Sequence, residues 1–302
     1  MIISKCPLRI SLAGGSTDLQ SYLDRYDYGT VITFTPNLYT YITLKPSTTK
    51  YYRIIYSSIE NWADMDDIRN DIAREVIKYF NLPPVEIIFT SDIPSTGSGL
   101  ASSSSYLIAM INAALVFTNQ KMDDLDIAKL ALHLEHTFNP LTGYQDIYGC
   151  VLGGFKKISF NKKGYSDIKF YNSDIFNSFD LHLVSTGMTR SSTNVLASLD
   201  FNKVHELIAP TQRMDSYLET NNLISVCTEI NNGWELKKQT SANIVNKHIK
   251  TLEDKLKDKA LAKRLIGAGA GGYFLVITEK NTSLGIDSIP IKLGTKYEVI
   301  EF

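Results

Sequence analysis

The chain has 302 residues, 44% of them hydrophobic and 21% charged, with a net charge of −1. That balance is ordinary for a soluble globular protein, leaves no large electrostatic footprint for nucleic acid, and includes no apolar run near the roughly 18 residues that a membrane span needs. Length suggests two domains. Cys6, Cys150 and Cys227 show neither metal-ligand nor CxxC spacing, and so sparse and odd a set fits a reducing, cytoplasmic setting. Met1-Ile2-Ile3-Ser4-Lys5 reads as the start of a strand rather than as a signal peptide.

Along the chain, residues 2–13 read as a strand interrupted at Pro7 and ending at Gly14-Gly15. Asp18 to Tyr26 is expected as a short helix. Thr30 to Thr35 and Tyr39 to Leu44 are expected as strands around a turn at Pro36-Asn37, and Tyr51 to Tyr56 as another strand. Asp67 to Phe80 predicts a helix with Ile68, Ile72, Val76 and Tyr79 on one face. The strand Val85 to Thr90 leads through a glycine- and serine-rich loop into a helix from about Ser103 to Phe117. Asp126 to Thr137 is a helix whose stripe is Ile127, Leu130, Ala131 and Leu134, and Phe155 to Phe160 is a strand after Gly153-Gly154. Polar residues 161–167 mark a domain edge. Strands then follow at 168–171 and 180–186, helices at 203–220 and 222–239, helical segments from Asn243 to Ile266, and a strand from Tyr273 to Thr278. Strands and helices mix without regular βαβ alternation, which argues for α+β.

Four segments carry the chemistry. In Asp92-Ile93-Pro94-Ser95-Thr96-Gly97-Ser98-Gly99-Leu100-Ala101-Ser102-Ser103, a flexible loop opens a helix, which puts backbone N–H groups and hydroxyls at the positive end of the helix dipole. It seats a phosphate, or it is only a linker and helix start; lacking Lys, it is not a Walker A loop. Gly267-Ala268-Gly269-Ala270-Gly271-Gly272 precedes a strand, so the order is wrong for a dinucleotide fingerprint. One glycine would satisfy a helix cap, whereas four in six residues suit backbone packed closely on a ligand or another loop. Glu135 and Asp146, eleven residues apart, are either solvated charges or the metal-holding and proton-accepting carboxylates that phosphoryl transfer uses. Arg9, in Pro7-Leu8-Arg9-Ile10-Ser11, is either a solvent-facing edge residue or a buried cation in need of a partner. Gly14-Gly15-Ser16-Thr17-Asp18 after it reads as a turn with Asp18 at a helix start.

In this order the segments resemble the GHMP small-molecule kinases (galactokinase, homoserine kinase, mevalonate kinase, phosphomevalonate kinase), and among them most the D-glycero-D-manno-heptose 7-phosphate kinases. The resemblance runs over nearly the whole chain and includes Gln145-Asp146-Ile147-Tyr148, Gly153-Gly154-Phe155 and Trp234-Glu235-Leu236-Lys237-Lys238. It implies an α+β, two-domain architecture: residues 1–165 similar to ribosomal protein S5 domain 2, and residues 166–302 ferredoxin-like. It implies that Gly97, Ser98, Gly99, Leu100, Ala101, Ser102 and Ser103 surround the ATP phosphates, with Gly269 and Gly271 closing over them. Ser103, with Ser102 as competitor, and Glu135 would hold Mg²⁺. Asp146 would act on the acceptor hydroxyl, steadied by Arg9. Gly15, Ser16, Thr17, Asp18, Gly143, Tyr144 and Asp146 would line the sugar site.

Three positions depart from the family pattern. Ala101 replaces a usual Gly, Ile266 replaces a frequent Ser, and Tyr144 stands where the heptose kinases carry Lys or Arg. The last leaves Arg190 as the candidate for a substrate phosphate. The resemblance thus implies transfer of the ATP γ-phosphate to the anomeric hydroxyl of a sugar phosphate, with D-glycero-D-manno-heptose 7-phosphate favoured. The alternatives are an unphosphorylated-sugar kinase like galactokinase or fucokinase, and a non-catalytic sugar and ATP sensor. ATP and Mg²⁺ are the expected cofactors. The expected partner is a small sugar or sugar phosphate, with no nucleic acid or membrane, on a monomer or homodimer.

Overall fold

A computed structural model describes residues 1–94, 97–189 and 195–302. Strands β1 (Ile2–Pro7), β2 (Ile10–Ala13), β3 (Gly29–Phe34), β4 (Tyr39–Pro46), β5 (Tyr52–Ile55), β6 (Ile59–Trp62), β7 (Val85–Ser91), β8 (Phe155–Asn161), β9 (Gly164–Phe170), β10 (Asp180–Ser185), β11 (Ala262–Leu265), β12 (Tyr273–Thr278), β13 (Ile289–Ile291) and β14 (Glu298–Glu301) form three sheets. Their orders are β14-β1-β4-β7-β5-β6, β2-β3-β8-β9 and β11-β12-β10-β13. All pairings are antiparallel except β5 with β7. The first six helices are α1 (Gln20–Tyr26), α2 (Asp71–Phe80), α3 (Ser102–Phe117), α4 (Asp124–Phe138), α5 (Tyr144–Val151) and α6 (Asp174–Ser178). The longer later ones span Ile208–Glu219, Leu223–Gln239 and Lys247–Leu256.

The helices follow from local chemistry. Asn70 and Asp123 cap α2 and α4 by accepting from the N–H groups of Ala73 and Asp126, and Asn81 ends α2 in the left-handed conformation. In α3, Leu107, Ile108, Ala109, Met110 and Ile111 are all buried, so the helix is surrounded on every side and has no polar face. It packs with α2, α4 and α5 over the six-stranded sheet in the largest core.

A second core joins the halves of the chain. Ile10, Ile32, Phe34 and Phe155 from the β2-β3-β8-β9 sheet meet Leu181, Leu183, Leu275 and Ile277 from the C-terminal sheet. Alternation along β12 explains this. Leu275 and Ile277 enter that shared core, while Phe274 and Val276 enter a third core with Trp234 and Ile249. Arg264 of β11 also reaches across, its guanidinium donating to the carbonyl of Leu12 in β2.

Three expectations change. The polar residues 161–167 hold the end of β8, the Lys162-Lys163 turn of the β8–β9 hairpin and the start of β9 rather than a domain edge, with Gly164 at φ +102°. A division at residue 165 therefore falls inside a paired strand. Asn243 to Ile266 is not all helical: Ala262–Leu265 is a strand, so the second glycine cluster joins two strands, not a helix and a strand. Ala-Lys-Arg-Leu reads as helix by local preference, and only the ladder to β12 makes it extended. Asp146, which the run Thr142-Gly143-Tyr144-Gln145-Asp146 read from sequence places in a loop before the Gly153-Gly154 turn, lies instead in helix α5.

Candidate active site

A cleft of about 300 Å³ opens where α3 and α5 begin and the second glycine cluster meets the first. Arg9 sits between β1 and β2, and it is 4% exposed. Its Nε and Nη2 both donate to Asp146 Oδ1, at 2.9 and 2.6 Å, and its Nη1 donates to the carbonyl of Gly99 at 2.8 Å. The interior-or-edge alternative for Arg9 is thus resolved to a buried cation with a carboxylate partner. Among the described residues no hydrogen bond engages Asp146 Oδ2, and the Asp146 side chain stays a third exposed. A Cβ on Gly149, one turn along α5 from Asp146, would lie 3.2 Å from the Arg9 side chain, so glycine lets the arginine stem lie on the helix.

Helix α5 is placed from a distance. Asp18 does not cap α1, whose N-cap is Leu19. Instead Asp18 Oδ2 accepts from the N–H of Gln145 in the first turn of α5 (2.9 Å), while Oδ1 accepts from the N–H of Ser16 (3.0 Å). Burial raises the Asp18 carboxyl to about 6, against the N–H groups of Gln145 and of Asp18 itself and the field of Arg9, and with that of Asp146. At the other end of α5, Lys156 of β8 is fully buried and donates to the carbonyls of Gly149 and Gly153. Burial lowers its ammonium to about 7.

Glu135, near the end of α4, is 1% exposed. Ser104 Oγ donates to its Oε2 at 2.6 Å, and Thr142 Oγ1 to its Oε1 at 3.4 Å. Burial pushes the carboxyl up to about 7; Ser104, Ser103 and Thr142 pull it down, and the charge on Asp146 pushes it up.

The two glycine loops touch. A Cβ on Gly99 would fall 2.7 Å from the carbonyl oxygen of Ile266, and one on Gly272 would fall 2.3 Å from that of Ser98. Both glycines have positive φ (+77° and +90°), so nothing larger fits this junction without moving backbone. Ala101 occupies the α3 N-cap at φ +62° and makes no side-chain cap bond. The first turn of α3 therefore opens on the cleft, and among the described residues no side chain caps its N–H groups.

Of the residues expected at the site, Arg9, Gly15, Ser16, Asp18, Gly97, Ser98, Gly99, Ala101, Ser102, Ser103, Glu135, Gly143 and Asp146 line this one cleft. Others are placed elsewhere. Leu100 is buried in the core that joins the halves. Thr17 is buried, its hydroxyl donating to the carbonyls of Gly14 and Thr30. Tyr144 stacks on Phe160 and donates to Gln20 Oε1, away from the cleft. Gly269 and Gly271 press against Ile244 and Met188; Gly267 and Ala268 line the cleft in their stead. Arg190 lies outside the described residues. The sequence reading missed Ser104, whose hydroxyl holds Glu135, and the lining residues Ser11, Asn139, Thr142, Gln145, Leu196 and Lys237. Ser11, Thr142, Gln145 and Lys237 stood within motifs read from the sequence, and Ser104 adjoins the first glycine loop; Asn139 and Leu196 carried no sequence signal.

Residues 68–154 match the model of the GHMP kinases N terminal domain, a span that holds the α3 loop, Glu135 and Asp146. The chain carries a GHMP kinase N-terminal domain. It is 27% identical to the D-glycero-alpha-D-manno-heptose 7-phosphate kinase of Campylobacter jejuni, over 92% of this chain and 89% of that protein. It is 24% identical to the L-fucokinase/L-fucose-1-P guanylyltransferase of Bacteroides fragilis over 92% of this chain, which spans 35% of that longer protein. In fold it is similar to a D-glycero-D-manno-heptose 1-phosphate kinase from Bacteroides thetaiotaomicron, with TM-score 0.81, 19% identity and coverage of 100% and 99% of the two chains. The GHMP kinase fold thus covers the whole chain, and the family and its kinase relatives support an ATP-dependent phosphotransferase acting on a sugar.

The residues present fit ATP and Mg²⁺. An uncapped helix start beside two positive-φ glycines and serine hydroxyls is a phosphate cradle. Mg²⁺ is commonly held by one or two carboxylates plus substrate phosphates, and Glu135 with the neighbouring serines offers that donor set. Among the described residues no group of three or more His, Cys, Asp or Glu is placed to hold a metal ion. No described helix is long and apolar enough to cross a membrane.

Proposed function

We propose that this protein transfers the γ-phosphate of ATP to the anomeric hydroxyl of a sugar phosphate, with D-glycero-D-manno-heptose 7-phosphate as the favoured acceptor. The observation that carries this reading is the Arg9–Asp146 pair set across one cleft from the uncapped start of α3. Arg9 holds Oδ1, so Oδ2 is the atom that accepts the proton of the acceptor hydroxyl. The same guanidinium, tied to Gly99, lies where charge develops as the phosphoryl group moves. Bound Mg²⁺ would neutralise phosphate charge. Gly15, Ser16 and Gly143 form the wall nearest Asp18 and are the proposed sugar contacts. The heptose assignment draws on the Campylobacter relative.

The test is ADP release with Mg-ATP against D-glycero-D-manno-heptose 7-phosphate, sedoheptulose 7-phosphate, mannose, galactose, L-fucose and mevalonate. Turnover confined to the heptose phosphate is expected. Turnover on L-fucose would favour the second reading, a kinase of an unphosphorylated sugar, which the Bacteroides relative and the turned-away Tyr144 support. ATP binding without turnover on any sugar would overturn the kinase reading in favour of a sensor.

A further inference from the structure

We propose that Gln145 is a specificity-determining residue of this cleft, its side-chain amide donating to a hydroxyl oxygen of the acceptor sugar; the proposal rests on the sugar-kinase reading above. Gln145 lines the cleft and is only 4% exposed. A polar side chain buried to that degree normally has all its hydrogen bonds made. Here half of the amide is engaged: Oε1 accepts from Ser11 Oγ at 3.3 Å, and among the described residues nothing accepts from Nε2. That nitrogen is not sealed in. The described side-chain atoms cut off from solvent without a partner belong to Ser4, His182, Arg264 and Thr278. Nε2 of Gln145 is therefore open to solvent, and the cleft that Gln145 lines is where solvent meets it.

Alternation along the chain explains the placement. Leu8, Ile10 and Leu12 enter the core that joins the halves, so Arg9 and Ser11 face the other way, toward α5. Two rungs result: Arg9 holds Asp146, and Ser11, two residues on, holds the neighbouring Gln145. Two residues of extended chain set the rungs roughly 7 Å apart, the scale of a single sugar ring. Asp146 takes the reacting hydroxyl in the proposed mechanism, so a ring seated there presents a further hydroxyl to Gln145. The free end of the amide is a neutral donor, suited to a hydroxyl oxygen, whereas phosphoryl oxygens are met best by charged donors. Gly15 keeps the pair accessible: a Cβ there would stand 3.5 Å from Ser11 Oγ and 3.7 Å from Gln145 Oε1. A buried donor built for one hydroxyl discriminates strongly, because an acceptor lacking that hydroxyl leaves the donor unpaired.

The experiment compares wild type with Gln145→Met and Ser11→Ala by calorimetric titration, alongside thermal melting. The ligands are ATP and whichever sugar of the panel above binds wild type most tightly, together with the 2-, 3- and 4-deoxy analogues of that sugar. Gln145→Met should weaken the sugar by about tenfold and leave ATP within about twofold of wild type. Wild type should disfavour one deoxy analogue by a similar factor, and Gln145→Met should bind that analogue and its parent alike. Ser11→Ala, which frees the amide to turn, should weaken the sugar by less. Sugar affinity within twofold of wild type in Gln145→Met, equal weakening of sugar and ATP, or discrimination among the analogues unchanged by the substitution would each overturn the proposal. Should Gln145→Met fail to fold, Ser11→Ala decides: a selective loss of sugar affinity and of discrimination supports the proposal, and wild-type values for both overturn it. A wild type that binds no sugar would overturn it too. A wild type that binds a sugar but transfers no phosphate to it would overturn the kinase reading alone, since the titrations still decide Gln145.

Discussion

Glu135 and Asp146 lie in the same cleft and differ in almost everything else. Asp146 is a third exposed and held by a guanidinium; Glu135 is sealed from water and held by hydroxyls. The first arrangement pairs a partly exposed carboxyl with a cation. The second raises a carboxyl to about 7, so that at pH 7 it is about half protonated and an arriving cation would decide its state. In the proposed mechanism the two divide the work, Asp146 for proton chemistry and Glu135 for metal.

The sharpest break of that comparison is Asp146→Asn. Turnover should fall by roughly 10²–10⁴, the usual reach of a positioned acid–base group, while calorimetric ATP affinity stays within a few-fold. Matching losses of ATP affinity and turnover would mean that Asp146 supports the fold and not the reaction. Next comes Glu135→Gln, which should leave ATP binding without metal intact and raise the Mg²⁺ needed for half-maximal ADP release by about tenfold or more.

The same variant has a stability signature of opposite sign. The native state keeps the Glu135 proton between the ordinary carboxyl value of 4.5 and about 7, whereas the unfolded chain releases it. Wild-type stability therefore falls as pH rises through that window, by up to about 3 kcal/mol. Without metal, Glu135→Gln should melt above wild type at pH 8 and draw level near pH 4.5; a lower melting temperature at pH 8 would refute the buried-carboxyl account. The smallest effect belongs to Ser104→Ala. It removes a hydroxyl that favours the charged carboxylate, so the pH midpoint of Mg²⁺ activation should move upward, by less than about one pH unit. A downward shift would mean that Ser104 does not donate to Glu135.

Much of this was legible in the sequence where local chemistry decides the outcome. Asp123 and Asn70 announce helix starts, and the apolar run of α3 and the β-branched run of β7 need no distant partner to be read. Helix α5 was not legible. It has eight residues, contains Gly149, and takes its N-terminal cap from Asp18, which lies more than a hundred residues earlier. Strand β11 was hidden for the same kind of reason, since its helix-favouring residues are overruled by pairing with β12. Within the site, Arg9, Glu135 and Asp146 were visible as oddities of charge. Tyr144 and Thr17 were misplaced because residues adjacent in a motif point to opposite sides of a turn or helix.

The pairing of Arg9 with Asp146 spans 137 positions, and that of Asp18 with Gln145 spans 127. Contacts so remote in sequence bear the largest loop-closure entropy and gain nothing until the strands between them have docked. The reaction centre should accordingly be among the last parts to form during folding and among the first to come apart. Recovery of ADP release after denaturation should then lag behind recovery of helical circular dichroism, which α3 and α4 can earn from neighbours close by in the chain.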